Sequence, residues 1–264
     1  MSYQLCNQNK LKMTNYPTNL SNSQWQVITQ YLKTDRKRKY DLREIVNAIL
    51  YIVKTGCQWR MLPFDFPKWQ LVYYYFSKWK KDGIIEDLQL SLVEKIRRNK
   101  NKKEEPTVGI IDSQSVKTTF VSSENTGFDA GKKIKGHKRH IVVDTLGLVL
   151  CVVIHNASVQ DRDGAMLVLT KLSQYWKKIT KIFADGGYRG QVIQEIKKRF
   201  NFELEIIKRD EQNSFKVLPK RWIVERTFSW FDTNRRNSKN YERLINTTEA
   251  MAHLSAIRIM LKQF

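Results

Sequence analysis

The feature that most restricts the fold is a set of five short apolar runs between residues 107 and 209: TVGIID (107–112), RHIVVDT (139–145), LVLCVVI (148–154), KIFAD (181–185) and ELEIIKR (203–209). Short runs rich in Val and Ile, bounded by polar or turn residues, read as strands. Leu146-Gly147, between the second and third, signals a hairpin. A longer amphipathic stretch, DRDGAMLVLTKLSQYW, separates the third run from the fourth, and a helix over 190–199 separates the fourth from the fifth. Two more helices follow, from about Pro219 to Arg235 and from about Thr248 to Lys262. Three strands, then helix, strand, helix, strand and helix, specify an α/β fold with a mixed sheet flanked by helices.

The chain upstream is built differently. Residues 1–19 are polar and Asn-rich and read as a disordered tail. Ser21 or Ser23 offers an N-cap for a short helix in LSNSQWQVITQYL. A stronger helix lies in YDLREIVNAILYIVKTG: Asp41 caps it, Ile45, Ile49, Ile52 and Val53 recur at helical spacing, and Gly56 suits its C-terminal stop. After the turn MLPFDFP comes a third helix, KWQLVYYYFSKWKKDG, mixing aromatics with lysines. Helix, turn and basic aromatic helix fit a helix-turn-helix DNA reader, and equally a three-helix bundle with an aromatic core. Lys and Arg fill six of the nine residues 95–103, a pattern that reads as a solvated basic linker or a phosphate-contacting arm. The expected division is therefore a tail over 1–19, a helical helix-turn-helix-like domain over 20–94, a linker over 95–106 and an α/β domain over 107–264.

Asp112 and Asp185 share a local grammar: each closes a short apolar strand and is followed by small or polar residues. Ligand sites in α/β sheets gather at such strand ends. Taken alone, a strand-end Asp is more often a turn or N-cap residue. Glu225, in RWIVERTFSW, borders an expected inward stripe of Val224, Phe228 and Phe231, with Arg221 one turn before it. Three acids converging at a sheet edge would make an oxygen-rich site for Mg²⁺ or Mn²⁺. Two such ions suit in-line phosphoryl transfer, where positioning and charge neutralisation supply most of the catalysis. Among the other acids, Asp144 is expected to pair with a basic neighbour, and Asp161 and Asp163 to cap the following helix. Trp222 and Trp230 are expected in the core.

Charge narrows the partner class. Forty-seven Lys and Arg against 26 Asp and Glu leave a net charge of +21, a field that attracts polyanions, nucleic acid first among them. Cys6, Cys57 and Cys151 lie far apart with no C-x-x-C pair, which gives neither a zinc ribbon nor a disulfide framework. The N-terminus is too polar for a signal peptide and the longest apolar run, Leu148–Ile154, is too short to span a bilayer. A soluble intracellular protein is expected, with no membrane partner.

Six strings in order, VNAILYIVKTGCQWRMLP, IIDSQSVKT, GKKIKGHKRHIVVDTLG, QDRDGA, ADGGYRG and RWIVERTFSW, resemble the DDE transposases of small bacterial insertion sequences. The branch is that of insertion-sequence family five, with a four-like catalytic domain, and the resemblance runs from about Leu20 to Met260. It implies a ribonuclease-H-like catalytic domain, with the first and fourth strands adjacent, after a helical DNA-binding region. It also implies a catalytic and metal-binding triad of Asp112, Asp185 and Glu225 with Mg²⁺ or Mn²⁺, two ions in all. The partners it implies are double-stranded DNA, as element ends and target, and a homodimer or higher assembly on that DNA, in the bacterial cytoplasm at the nucleoid. Arg221 matches the arginine of the related Y-R-E-K signature, whose tyrosine would fall at Leu218 and whose lysine would fall at Asp232. Arg235 or Arg236 is expected to supply that missing charge. Lys132, Lys133, Lys135, Lys138 and Arg139 are expected to contact DNA phosphates, and His137 stands where relatives carry Arg, at a site expected to touch the DNA backbone. A DNA-binding regulator, an inactive relic and a metal-dependent nuclease of the same fold remain as alternatives.

Overall fold

A computed structural model describes residues 16–32, 39–119, 124–207 and 221–264. Most of the expected tail (1–15), Lys208 and Arg209 of the fifth apolar run, Leu218, and the expected helix start at Pro219 lie outside the described residues. Residues 16–19, expected as part of that tail, are packed instead. Tyr16 stacks on Phe66 with ring centroids 5.0 Å apart and donates its hydroxyl to Asp65 Oδ1 at 3.0 Å.

Six strands form one sheet: β1 (Val108–Lys117), β2 (Gly127–Asp129), β3 (Ile134–Val143), β4 (Val149–Asn156), β5 (Lys181–Ala184) and β6 (Glu203–Ile206). β1 lies antiparallel to β3 on one side and parallel to β5 on the other, and β6 continues parallel beyond β5. β4 and the short β2 share the outer edge of β3, both antiparallel to it. The first and fourth expected strands are thus neighbours, and the ribonuclease-H-like mixed sheet is as anticipated. Two strands run longer than their apolar runs. β1 continues five residues past Asp112 and β3 begins at Ile134, because each satisfies the other's backbone groups as far as Lys117 and Gly136. At Gly136 a Cβ would sit 2.0 Å from Val116 O, so only glycine allows that closeness. The basic segment that carries Lys132, Lys133, Lys135, Lys138 and Arg139 is therefore largely the β2–β3 hairpin.

The helices are α1 (Asn22–Thr29), α2 (Leu42–Thr55), α3 (Trp69–Lys81), α4 (Ile84–Asn99), α5 (Asp161–Tyr175), α6 (Val192–Phe200), α7 (Arg221–Asp232) and α8 (Ile245–Leu261), and it is α4 to α8 that pack against strands of the sheet. Ser21 caps α1 in a reciprocal pair with Gln24. Asp41 caps α2, and Gly56, at φ 73°, ends it in the left-handed conformation. Residues 56–68 join α2 to α3, including a 3-10 turn at Trp59–Met61. That connection is longer than the three- or four-residue turn of a helix-turn-helix motif. On α3, Val72, Phe76 and Trp79 are buried while Tyr73 and Tyr74 are exposed.

The expected linker is corrected over its first five residues, 95–99, which complete α4. Leu88, Leu92, Val93 and Ile96 recur at helical spacing on its buried face. Arg97 also turns inward and pairs with the fully buried Asp144, whose Oδ1 accepts the Leu146 and Leu148 N–H groups of the β3–β4 turn at 2.9 Å each. Asp144 is thus a turn residue with a basic partner, as expected. A second polar cluster, half-buried at its charged end, joins α4, α5 and α8: Lys171 Nζ lies 2.9 Å from Glu86 and 2.8 Å from Glu249, and the buried His253 Nδ1 meets Gln89 Oε1 at 2.6 Å. One hydrophobic core runs without interruption from Leu20 to Leu261 through helices and sheet.

Replacing Arg97 by Met should strand the Asp144 carboxylate and destabilise the fold by about 3–5 kcal/mol, read from urea unfolding. His253 gives a pH signature. Burial pushes its pKa down from 6.5 to about 4, with the Glu86 carboxylate opposing and Lys171 adding. The unfolded chain therefore takes up this proton first, and stability should fall as pH drops from 6.5 towards 4. His253→Gln should flatten that fall by one proton's worth; an unchanged pH dependence would contradict the assignment.

Candidate active site

β5 and β1 set the site. Their parallel register pairs Val108 with Lys181 and Ile110 with Phe183. Two residues on, the same offset and the same face bring Asp112 beside Asp185, on strands about 4.8 Å apart. β5 stops at Ala184 while β1 runs on, so Asp112 lies mid-strand in β1 yet at the end of its pairing with β5. That corrects the expected strand end at Asp112 and keeps its physical meaning, because one side of the strand opens there.

Each carboxylate spends one oxygen on backbone. Asp112 Oδ1 accepts Ser113 N–H at 2.7 Å, and Asp185 Oδ1 accepts Gly187 N–H at 2.9 Å, capping the 3-10 turn Gly186–Tyr188. Burial pushes Asp112 up to a pKa of about 6, the Ser113 N–H opposes, and the Asp185 charge adds to the rise. Arg221 and Lys132 act the other way, favouring the charged carboxylate. Arg221, in the first turn of α7, holds Asp185 Oδ2 at 3.4 Å through Nη2 and Glu225 Oε1 at 3.0 Å through Nε. Val224, Phe228 and Phe231 form the buried stripe of α7 as expected, and Glu225 borders it with its side chain 54% exposed.

Beneath Asp112 lies a buttress the sequence reading missed. Asp161 was expected as a cap, but the cap position of α5 is Gln160, which makes no side-chain bond. Asp161 Oδ1 instead accepts from Ser113 Oγ at 2.8 Å and lies 2.9 Å from Lys138 Nζ. Lys138 also reaches Asp129 Oδ2 at 3.5 Å and Val159 O at 2.9 Å. Asp163 is exposed. Tyr188 is buried alongside, its ring edge-on to His140 with centroids 6.0 Å apart. His140 Nδ1 meets His155 Nε2 at 2.7 Å, directly over Gly164, whose space a Cβ would take from both rings. QDRDGA supplied the signal for this layer, but spacing alone does not show that its first acid faces the sheet.

The expected phosphate contacts divide. Lys132, Lys133 and Lys135 are exposed on the β2–β3 hairpin, and Lys132 Nζ donates to Ser113 O at 3.1 Å beside Asp112. Lys138 and Arg139 are buried, correcting the expectation of phosphate contact. Lys138 is held as above, and Arg139 bonds Gln114 Oε1 at 3.0 Å and Asn237 O at 3.2 Å. Position along β3 explains the split: from Gly136 onward both faces of the strand are covered, with α5 and α7 packed against it, whereas Lys132, Lys133 and Lys135 lie at the open hairpin end. His137 is buried too, 2.8 Å from Asn240 Nδ2, so it does not face solvent. Arg236 is likewise internal, bonded to Glu242 at 2.6 Å and to Cys57 O at 3.0 Å, whereas Arg235 is exposed. Trp222 and Trp230, expected in the core, instead sandwich Arg226, each ring 4.5 Å from its guanidinium.

The donor set is all oxygen, which suits a hard divalent cation. Mg²⁺ is commonly held by one or two carboxylates, with waters and substrate phosphates completing its shell, and Asp112 with Asp185 meets that requirement. Among the described residues no three His, Cys, Asp or Glu side chains stand close enough to hold one ion, and Glu225 pairs with Arg221.

The chain matches the model of the transposase DDE domain over residues 103–260, more than half of its 264 residues. Residues 20–89 match a model described as "Putative transposase of IS4/5 family". No curated protein matches the chain. Among solved structures, the Drosophila P element transposase strand transfer complex is 13% identical, covering 71% of this chain and 45% of that one, with a TM-score of 0.34. This chain thus spans less than half the length of that relative. The Mos1 strand transfer complex is 10% identical, covering 86% and 77%, with a TM-score of 0.29. The Mos1 mariner paired end complex with Mn is 10% identical, covering 86% and 78%, with a TM-score of 0.31. By the extent of the family match and the acids it spans, the chain belongs to the DDE transposase family.

Proposed function

We propose that this protein binds the terminal inverted repeats of its own insertion sequence, cleaves the ends and joins them to target DNA. The observation that carries this reading is the placing of Asp112 beside Asp185 across β1 and β5, with Glu225 reached through Arg221. Asp112 and Asp185 would hold Mg²⁺ or Mn²⁺, with Glu225 completing a two-ion site. When bound, the ions supply activation of water or a 3′-hydroxyl and neutralise charge on the leaving oxygen. The chain's own residues orient the substrate. Exposed Lys132, Lys133 and Lys135 would take phosphates on one side, Lys132 next to Asp112, with Arg221 and Arg235 serving the α7 side. Lys138 and Asp161 would fix the Ser113 segment and so the direction of the Asp112 carboxylate.

Residues 20–94 would recognise DNA and 107–264 carry the chemistry, with two copies pairing two ends on double-stranded DNA in the bacterial cytoplasm. No helix among the described residues is long and apolar enough to cross a membrane.

The test incubates the full chain with labelled DNA carrying the element's ends, with Mg²⁺, Mn²⁺ or EDTA. Metal-dependent nicking at the ends is expected, lost by at least a hundredfold in Asp112→Asn and Asp185→Asn while end binding persists, on the order of the effect of removing a charge-stabilising group. Binding without cleavage under every condition would point to a regulator. Cleavage surviving Glu225→Gln would remove that residue from the site.

A further inference from the structure

We propose that Arg221 is the resident counter-ion of the acid site, and that a divalent cation loads fully only once Arg221 releases Asp185 and Glu225. The proposal rests on the metal-dependent reading above and concerns how that site is opened. Asp185 commits Oδ1 to the Gly187 N–H and offers Oδ2, and Oδ2 is the oxygen that Arg221 Nη2 holds at 3.4 Å. The same guanidinium holds Glu225 Oε1 at 3.0 Å through Nε, one helical turn along α7. One guanidinium therefore stands as ion-pair partner to one oxygen each of the strand acid and the helix acid, although its Nε makes no hydrogen bond.

Arg221 is neither sealed in nor loose. Its side chain is 22% exposed, beside Asp185 at 25% and Glu225 at 54%, so an anion arriving from solvent can reach it. The guanidinium fork matches phosphate at least as well as carboxylate. A DNA phosphate docking at α7 would exchange with the two carboxylates for Arg221 and leave their oxygens to the cation. DNA and metal then load cooperatively, and the coupling is reciprocal. A free protein would bind metal weakly and so be restrained from cleaving before DNA is seated.

The experiment measures Mn²⁺ binding to the full chain, from the electron paramagnetic resonance signal of free Mn²⁺, with and without a mixed-sequence DNA duplex. Without DNA, Arg221→Gln is expected to tighten Mn²⁺ binding on the order of tenfold, the effect of removing one unit charge a few ångströms from a divalent ion in a wet site. Arg221→Lys, which keeps a cation there, should stay within a few-fold of wild type. The duplex should tighten Mn²⁺ binding in wild type and not in Arg221→Gln, with Asp185→Asn plus duplex as the blank for metal on the DNA itself. Should the Gln variant melt early, Arg221→Met takes its place. Unchanged or weaker Mn²⁺ binding in a folded, uncharged Arg221 variant overturns the proposal while leaving the metal site standing. Mn²⁺ binding indifferent to Asp185→Asn overturns the site reading itself.

Discussion

Everything at the site depends on the parallel register of β1 and β5. It puts two carboxylates side by side at the point where β5 ends and β1 goes on alone. Two like charges in a half-buried cleft repel and lose hydration, and the rise of Asp112 to a pKa of about 6 is the local sign of that cost. A fold keeps such a pair only when other interactions hold the strands in place. Here the long β1–β3 ladder from Ile110 to Lys117 supplies backbone hydrogen bonds on one side, and the β5–β6 pairing extends the sheet on the other. Cationic neighbours then moderate the charge: Arg221 from the helix side and Lys132 from the hairpin side.

Coverage of both faces of β3 from Gly136 onward divides the basic residues between interior and surface. Along β3, Lys138 turns towards Asp129, Asp161 and the start of α5, and Arg139 turns towards Gln114 and the segment after α7. Both charges are spent inside, Lys138 on two carboxylates and Arg139 on an amide oxygen and a backbone carbonyl. The exposed lysines of the hairpin tip are what remains to face a polyanion. Net charge alone therefore overstates how much of this hairpin can touch DNA. The buried Arg97–Asp144 pair and the Lys171 cluster do comparable work at the seam between the first helices and the sheet, where they fix α4 against the β3–β4 turn and against α8.

Much of the sheet was legible because apolar runs such as IVV and VLCVV declare strands, and because Asp41, Gly56 and Ser21 mark helix ends by their own chemistry. The polar half of β1 was not legible. Ser113, Gln114 and Ser115 have no apolar pattern, and only the partner strand makes them extended. α4 was hidden for the opposite reason: its closing Lys and Arg run masked Leu88, Leu92 and Ile96, and charge was read where period should have been. Asp112, Asp185 and Glu225 could be singled out by motif. Arg221 beside Glu225 follows from helical spacing, but its reach to Asp185, and the bond from Ser113 to Asp161 next to Asp112, follow from tertiary packing that no spacing rule contains.

The most direct test of the central claim is anomalous diffraction at the manganese edge from crystals of the full chain grown with Mn²⁺ and a DNA duplex. A peak is expected at the Asp112 and Asp185 carboxylates, absent from Asp185→Asn crystals. A manganese peak at other residues, with Asp112 and Asp185 free of metal, would contradict it.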